Sequence, residues 1–251
     1  MVLQPDLDLN LINSLEEKAE LLKECGLDHL IIHPFTKEFS RTSSMEFVRN
    51  ILVKNIGVKK LVIGYDHHFG RNREGSFEHL KEFGPVYGFD VDEIPAQDIN
   101  DIKVSSTKIR KALLEGEIET ANEYLTRPYR FTGFVVKGDQ LGRQIGFPTA
   151  NLNLDDSKKL IPKNGVYAVL VRIDGSDKQH QAMCNIGIRP TVSGKTKTIE
   201  INMFDFNLDI YGTKLTVFFK QRIRDEQKFE SVEKLKAQLM LDEAKCRSIL
   251  S

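Results

Sequence analysis

The sequence has little of what several classes of protein require. Lysine plus arginine and aspartate plus glutamate are equal at 36 each, so the chain has no formal net charge. A protein that holds nucleic acid by bulk attraction to phosphate needs a basic excess or a basic tail, so this class is disfavoured. The apolar runs are far shorter than the roughly 18 residues of a membrane helix. Residues 1–10 lack the basic and apolar regions of a signal peptide.

Cysteine is also scarce. The chain has only Cys25, Cys184 and Cys246, which form no CxxC pair and are odd in number. This usage is typical of buried thiols in a reducing compartment. Hydrophobic residues make up 40% of the chain, enough to build real cores. We therefore expect a soluble, cytoplasmic, globular protein.

The first part of the chain alternates helical and strand patterns. Capping-box spacing and helical periodicity predict helices over 14–24 and 44–56. Short apolar runs predict three strands, at 28–33, 59–64 and 89–94. Strands that alternate with helices indicate a parallel sheet. Because three strands make a thin parallel sheet and no strand opens the chain, we expect this half to be incomplete at its N-terminus.

The second part changes character near residue 128. Strand patterns follow one another without intervening helices, at 131–137, 165–173, 180–186, 198–206 and 214–220. Closely spaced strands of this kind indicate an antiparallel barrel or sandwich. Residues 229–250 then predict a C-terminal helix.

A glycine-rich segment follows the first of these strands. Gly138, Gly142 and Gly146 fit neither the GxxxxGK[ST] nor the GxGxxG spacing. On glycines alone an ordinary hairpin is the better interpretation, although such backbone can also approach phosphate oxygens closely. Thr149 and Asn151 follow, and a hydroxyl and an amide beside a nucleotide phosphate would suit Mg²⁺. Taken singly, these two residues are more often turn caps.

Two further segments carry candidate chemistry. Period-two alternation over 198–206 puts Glu200 and Asn202 on one face, continued by Phe204 and Phe206. A carboxylate beside apolar surface can accept a proton from a substrate hydroxyl, and the alternative is a solvated charge.

The second segment is the start of a helix at 104–116. Its hydroxyls, from Ser105, Ser106 and Thr107, precede Lys108 and Arg110. A helix start of this composition can bind an anion, although most are simple caps.

A series of short motifs occurs in order along most of the chain. In the second half they are Gly138-Asp139-Gln140 with Gly142-Arg143, Gly146-Phe147-Pro148-Thr149-Ala150-Asn151, Gly165-Val166-Tyr167-Ala168, Asn185-Ile186-Gly187 with Arg189-Pro190-Thr191, Glu200 with Asp205-Phe206, Tyr211-Gly212, and Ile223-Arg224-Asp225-Glu226 with Lys228-Phe229. In the first half they are Gly64-Tyr65-Asp66 with Phe69-Gly70, and Ser105-Ser106-Thr107 with Ile109-Arg110. From about Leu11 to Cys246 the chain resembles the bacterial bifunctional riboflavin kinase/FAD synthetase family.

The resemblance implies a fold of α/β plus β type. Residues 1–126 would form a partial Rossmann-like FAD synthetase (FMN adenylyltransferase) domain that lacks its first strand and HxGH segment. Residues 127–251 would form a riboflavin kinase domain, a small antiparallel β-barrel with a C-terminal helix.

The resemblance also implies roles for single residues. Glu200 would be the base for the ribityl 5′-hydroxyl of riboflavin, and Arg224 would lie on a flap near the flavin. Thr149 and Asn151 would bind Mg²⁺. The nucleotide and its phosphates would be bound by Gly138, Gly142, Arg143, Gly146, Thr149 and Asn151. The adenylyltransferase remnant would comprise Asp66, Ser105, Ser106, Thr107 and Arg110.

Three departures from the family pattern stand out. The sequence contains no HxGH motif, His67-His68 stands where Phe-Arg is frequent, and Asn202 stands where histidine is common. Loss of the HxGH donors to the departing pyrophosphate should cost several kcal/mol of barrier. We therefore expect adenylylation of FMN to FAD to be impaired.

The expected activity is transfer of the γ-phosphate of ATP to riboflavin, which gives FMN. The expected partners are riboflavin, FMN and ATP with Mg²⁺, without nucleic acid, membrane or an obligate protein partner. Two alternatives are a non-catalytic flavin- or nucleotide-binding regulator, and full FMN and FAD synthesis if the chain is a fragment. A third is an oligonucleotide-binding barrel, which the zero net charge disfavours.

Overall fold

The computed structural model describes residues 10–95, 98–99, 102–138, 141–191 and 194–251. The helices are α1 (Leu15–Glu24), α2 (Ser44–Glu46), α3 (Phe77–Tyr87), α4 (Ser106–Glu115), α5 (Ile118–Leu125), α6 (Leu141–Gln144) and α7 (Val232–Leu250), and a π-helix (Phe47–Ile56) continues α2. The strands are β1 (Lys60–Gly64), β2 (Asp90–Ile94), β3 (Asp98–Ile99), β4 (Ile102–Lys103), β5 (Arg130–Val136), β6 (Ala150–Leu154), β7 (Gly165–Ile173), β8 (Gln179–Thr191), β9 (Gly194–Met203) and β10 (Lys214–Arg224).

The chain divides into two compact units. One contains His29–Val104, and the other contains Ser105–Ser251 together with Leu9–Asp28. Helices α1, α4 and α5 therefore belong to the same unit as the later strands. A division into domains of 1–126 and 127–251 stays a prediction.

The first unit is a small α/β layer. Strands β1 and β2 pair in parallel, with Lys60 opposite Asp90 and Gly64 opposite Ile94, as their alternation with helices predicts. The helical segment after Ser43 opens with the predicted capping box and ends at Gly57, whose φ of 72° lies in the left-handed region. Helix and sheet meet in a buried cluster of Val48, Ile63, Leu80 and Phe89.

The strand predicted over residues 28–33 is wrong. This segment has no strand pairing, and Ile31 and Ile32 are 66% and 59% exposed. The boundary between the two units falls at residues 28 and 29. The segment therefore connects the units instead of joining the sheet, and its apolar side chains find no buried face.

The second unit is built on a closed antiparallel barrel in the order β10-β5-β6-β9-β8-β7, which confirms the predicted barrel. Its core includes an aromatic cluster, in which the centre of the Phe219 ring lies 5.0 Å from that of Phe131 and 5.2 Å from that of Tyr167, both in edge-on contact. Such pairs stabilise a core beyond the area that they bury. Of the barrel strands, only β6 lacks a sequence prediction.

Helix α1 packs on this barrel through a buried ion pair. Glu17 of α1 and Lys159 pair directly, and their side chains are 4% and 2% exposed. Nζ of Lys159 also donates to the carbonyl of Ile12 at 2.6 Å and lies 4.7 Å from the centre of the Tyr129 ring. Burial lowers the pKa of Lys159 to about 8. The helix is thereby part of the barrel unit.

Helix α7 covers the outer face of the barrel. It begins one residue after Ser231, whose hydroxyl accepts the amide N–H of Lys234, so the predicted start at 229 is slightly early. Between α7 and the sheet lies a second core, made of Phe147, Val166, Ala168, Met183, Phe204 and Cys246. Among the described residues, no helix has the length and apolar character needed to cross a bilayer.

Candidate active site

A single row of residues crosses five strands of the barrel. Asn151 of β6 is paired with Glu200 of β9, and Glu200 with Asn185 of β8. The row continues to Val166 of β7 and Arg224 of β10. Residues directly opposite one another in a sheet point to the same face. The register therefore brings two amides, a carboxylate and a guanidinium together from distant parts of the sequence.

All five residues of this row line one cavity of about 350 Å³, a size typical of small-molecule sites. We call it the first cavity. Its apolar wall comes from the core under α7 and the chain after β10, and comprises Ile145, Phe147, Met183, Phe229, Leu235 and Leu239. Its remaining polar lining comprises Thr149, Asn202, Glu226 and Gln227. The site thus combines an apolar wall with a few converging polar groups.

A second cavity of about 280 Å³ adjoins the first at Thr149, which lines both. Its walls are Pro148, Ala150, Ile201 and Met203 with Val135 and Arg143 on one side, and residues 206–211 on the other. The prediction that Phe206 continues the Glu200 face is wrong. Strand β9 ends at Met203, and Asp205 has a φ of 55°, so Phe206 turns to the second cavity.

Asp205, the residue before 206–211, is bound to helix α7. Arg247 donates to both carboxylate oxygens of Asp205, at 2.8 and 3.0 Å, and lies 4.7 Å from the centre of the Phe204 ring. The hydrogen bonds from Arg247 lower the pKa of Asp205. The carboxylate therefore stays charged at neutral pH, and the bridge persists there.

Two glycines of the predicted phosphate segment pack against Thr149 and Asn151. A Cβ at Gly138 would lie 2.0 Å from Nδ2 of Asn151. A Cβ at Gly142 would lie 2.2 Å from the carbonyl oxygen of Phe147 and 3.4 Å from the hydroxyl oxygen of Thr149. A side chain at Gly138 would displace the side chain of Asn151, and one at Gly142 would displace the backbone of Phe147. The segment contains α6 and is not a simple hairpin, while Asp139 and Gln140 lie outside the described residues.

Arg224 is held at the edge of the first cavity by α7. Its Nε and Nη2 donate to the carboxylate of Asp242 at 3.0 and 2.6 Å. That carboxylate is 2% exposed and also accepts from Gln238 at 2.8 Å. Nη1 of Arg224 donates to the carbonyl of Asp225 at 2.9 Å. The guanidinium therefore ties α7 to the chain that leads into the cavity wall.

Burial also affects the titration of a thiol beside the row. Cys184, next to Asn185 in β8, is fully buried inside the barrel. Desolvation raises the pKa of this thiol, and the nearby charge of Glu200 raises it further. The thiol is therefore neutral at physiological pH and is inert as a nucleophile.

The predicted kinase residues thus converge only in part. Gly142, Thr149, Asn151, Glu200 and Arg224 line the first cavity, and Arg143 lines the second. Gly146 has a φ of 88° and is not among the residues that line either cavity in the described part of the chain.

The predicted adenylyltransferase residues lie in different units. Asp66 is exposed in the first unit. Ser105 caps α4 in the second unit and accepts the amide N–H of Lys108 at 3.3 Å, and Ser106 and Thr107 are exposed in the first turn of that helix. Nε of Arg110 donates to the carbonyl of Asn10 at 2.9 Å. Their grouping into a site stays a prediction.

Sequence reasoning missed several lining residues. Asn185 interrupts an apolar strand two residues after Met183, on the same face, and a polar residue in such a run is a signal that could have been used. Leu235 and Leu239 of α7 carry no local signal, because only the packing of the helix brings them to the cavity.

Comparison with known proteins separates the two halves of the chain. The riboflavin kinase family matches residues 125–250, and the FAD synthetase family matches residues 1–108. The chain is 39% identical to the bifunctional riboflavin kinase/FMN adenylyltransferase of Escherichia coli K12 over 236 residues, which is 94% of this chain and 74% of that protein. It is also 39% identical to the protein of the same name from Listeria monocytogenes, over 96% of this chain and 75% of that one.

Among solved structures, the macrolide-efflux protein from Streptococcus pneumoniae matches with a TM-score of 0.88 and 36% identity. The match covers 98% of this chain and 79% of that one. Both halves are matched in order and nearly end to end, and the chain belongs to the family of bifunctional riboflavin kinases/FMN adenylyltransferases.

Proposed function

We propose that the chain phosphorylates riboflavin, transferring the γ-phosphoryl group of ATP to the 5′-hydroxyl to give FMN and ADP. The observation that carries the proposal is the pairing of Asn151 with Glu200 in a cavity that adjoins a second one at Thr149. A carboxylate and two oxygen-bearing side chains in one cavity, beside a second cavity that shares Thr149, suit a reaction that joins two substrates.

Riboflavin is assigned to the first cavity. The aromatic and aliphatic side chains of Phe147, Met183, Phe229 and Leu239 provide a wall for the planar ring system. Burial of such a ring against apolar side chains supplies binding energy, and the polar groups fix its orientation. The ribityl chain would then run toward the row of polar residues and bring its terminal hydroxyl to Glu200.

ATP is assigned to the second cavity, with its phosphates directed toward Thr149. Arg143 lines that cavity and supplies a positive charge for the phosphates. Gly142 brings backbone close to the Thr149 hydroxyl, where N–H groups can approach phosphate oxygens.

Three residues of the first cavity, of which Thr149 also lines the second, fit a divalent cation. Thr149, Asn151 and Glu200 offer a hydroxyl, an amide oxygen and a carboxylate in one cavity. Among the described residues no cluster of three or more His, Cys, Asp or Glu side chains could hold a metal by itself. Mg²⁺ is commonly held by a few protein oxygens, water and substrate phosphates, so Thr149 and Asn151 would hold it. When bound, the ion neutralises charge on the phosphates.

In the proposed reaction, Glu200 accepts the proton of the 5′-hydroxyl as that oxygen bonds to the γ-phosphorus. The bond from the γ-phosphorus to the β–γ bridging oxygen breaks, and ADP leaves with that oxygen. Phosphoryl transfer depends mainly on positioning and on stabilising charge. The paired strands supply the positioning, because the register fixes Asn151 and Glu200 side by side.

The test is the product analysis of purified chain with riboflavin, ATP and MgCl₂. We expect FMN and ADP to form in equal amounts, separated by chromatography and dependent on added divalent metal. Folded protein that binds riboflavin but yields no FMN would contradict the proposal and would favour the flavin-binding regulator instead.

A further inference from the structure

The strand pairing that holds Asn151 ends one residue before it reaches Thr149. Strands β6 and β9 are paired through Asn151 with Glu200 and through Ala150 with Ile201, and β6 begins at Ala150. Thr149, the residue shared by both cavities, therefore lies just outside the backbone ladder. Something else must fix its position if its hydroxyl is to serve a metal or phosphate.

A side chain from β9 takes over where the ladder stops. Nδ2 of Asn202 donates to the carbonyl oxygen of Pro148 at 2.7 Å. Asn202 is 6% exposed and lies two residues after Glu200, on the same face of β9. Thr149 is therefore flanked by a backbone pair at Ala150 and by this side-chain bond at Pro148.

Pro148 makes this bond more consequential. Its ring fixes φ and it has no N–H to donate, so its carbonyl is the group through which β9 can hold it. A hydrogen bond to that carbonyl restrains the peptide between Pro148 and Thr149. The orientation of this peptide sets where the Thr149 side chain points.

We propose that Asn202 is a positioning residue that orients Thr149 for the metal–phosphate end of ATP. This inference rests on the proposed kinase function. It assigns Asn202 to nucleotide and metal binding although the side chain lies in the wall of the flavin cavity. The requirement is an N–H donor at this position, which the asparagine amide supplies and a histidine ring can also supply.

The experiment compares Asn202→Asp, Asn202→Ala and Asn202→His in the full chain. Aspartate is nearly isosteric but, when ionised, only accepts hydrogen bonds. For each variant we would measure KM for ATP, the Mg²⁺ concentration for half-maximal rate, and riboflavin affinity by flavin fluorescence without nucleotide. Asn153→Ala is the matched control, since Asn153 is an exposed asparagine on β6.

We expect Asn202→Asp and Asn202→Ala to raise the ATP and Mg²⁺ requirements about five- to tenfold, the scale of one hydrogen bond. Riboflavin affinity should change less than about twofold, and Asn202→His should recover most of the loss. In a Thr149→Ala background, Asn202→Ala should add almost nothing, since its effect passes through Thr149.

Two results would overturn the inference while leaving the kinase function intact. One is unchanged ATP and Mg²⁺ constants in folded Asn202→Asp and Asn202→Ala, and the other is an equal loss of riboflavin affinity, which would make Asn202 a flavin contact. Thermal unfolding identifies a variant that fails to fold, and the folded one of Asn202→Asp and Asn202→Ala then decides. Absence of FMN in the wild type would instead overturn the kinase function itself.

Discussion

Asn151 and Glu200 are direct partners across β6 and β9, one a neutral amide and the other a carboxylate. In an antiparallel pair the Cβ atoms of such partners are about 5 Å apart. Two groups this close can serve the same phosphoryl transfer. Asn151 would do so by helping to hold the Mg²⁺ that neutralises phosphate charge, and Glu200 by taking the proton of the attacking hydroxyl. Their contributions should separate kinetically.

Glu200→Gln tests the proton acceptor. The amide keeps the shape of the site and most ground-state contacts but cannot take the proton. A positioned base is typically worth 10²–10⁴-fold, roughly 3–5 kcal/mol. We expect kcat to fall by that factor, with KM for riboflavin and ATP nearly unchanged. A kcat within about twofold of wild type would remove Glu200 from the chemistry.

Gly138→Ala tests the close approach of backbone to Asn151. The added Cβ would lie 2.0 Å from Nδ2 of Asn151, so one of the two must move. We expect a higher ATP and Mg²⁺ requirement and little change in riboflavin affinity. Gly64→Ala is the control, because its Cβ would lie 3.8 Å from Oδ1 of Asp66 in the first unit. Equal kinetics for both variants would contradict a role of this close packing in ATP and Mg²⁺ binding.

Arg224→Lys tests the contact between β10 and α7. Lysine keeps the charge but loses the planar fork that matches the Asp242 carboxylate. Because lysine keeps the charge and part of the contact, we expect KM for riboflavin to rise about three- to tenfold, the scale of one ordinary hydrogen bond, while KM for ATP stays near wild type. The control is Lys236→Arg at an exposed position of α7. An unchanged riboflavin KM would show that the fork serves stability only.

Adenylyl transfer gives a different prediction. The sequence has no HxGH motif, and catalysis of pyrophosphate departure depends on such donors. We expect the chain to accumulate FMN with little FAD when riboflavin, ATP and MgCl₂ are in excess. The measurement is a time course of both flavins by chromatography, with FMN as the starting flavin in a parallel reaction. FAD formation at a rate comparable to that of FMN would contradict this.

The buried pair of Glu17 and Lys159 predicts stability. Glu17→Gln leaves the buried ammonium of Lys159 without its charged partner. We expect the free energy of unfolding to fall by about 3–5 kcal/mol, the typical cost of removing one partner of a buried ion pair. Replacing both with Glu17→Leu and Lys159→Met should cost much less. Urea unfolding of both, with the exposed Lys18→Met as control, measures the difference. Equal stability of single and double variants would contradict the pairing.

The same lysine gives a pH dependence. Its pKa in the folded chain is about 8, below the ordinary 10.5, so between these values the unfolded chain binds more protons. The free energy of unfolding should therefore gain a positive slope with pH in that window. Urea unfolding at several pH values measures this slope, and Lys159→Met should remove it. An equal slope in the wild type and in Lys159→Met would contradict the assignment to Lys159.

Local sequence patterns predicted most of the helices and strands, because capping residues and apolar periodicity are themselves what forms those elements. The strand predicted over 165–173 has the bounds of β7, since most of its residues are apolar and six of the nine are buried. Strand β6 was not predicted from the sequence. Its asparagines alternate with leucines after a glycine- and proline-rich stretch, and this composition suits a turn as well as a strand. Its pairing with β5 and β9 decides the outcome, and that pairing is tertiary.

The site shows the same division. Glu200, Thr149 and Asn151 stand out as polar residues in telling local settings, so the sequence could nominate them. That they share one cavity follows from barrel closure. The roles of Asp242 and Asn202 depend on partners 18 and 54 positions away in the chain, and no local pattern encodes those partners.

The position of α1 has an evolutionary consequence. Its Glu17 is the partner of a lysine buried against the barrel, so this helix contributes to the unit that carries the kinase residues. Mutations in 15–24 that destabilise this unit would reduce FMN production. Selection would therefore remove them even in a lineage with no use for adenylyl transfer. The FAD synthetase half could therefore decay in its chemistry while its early helix persists under selection for the other reaction.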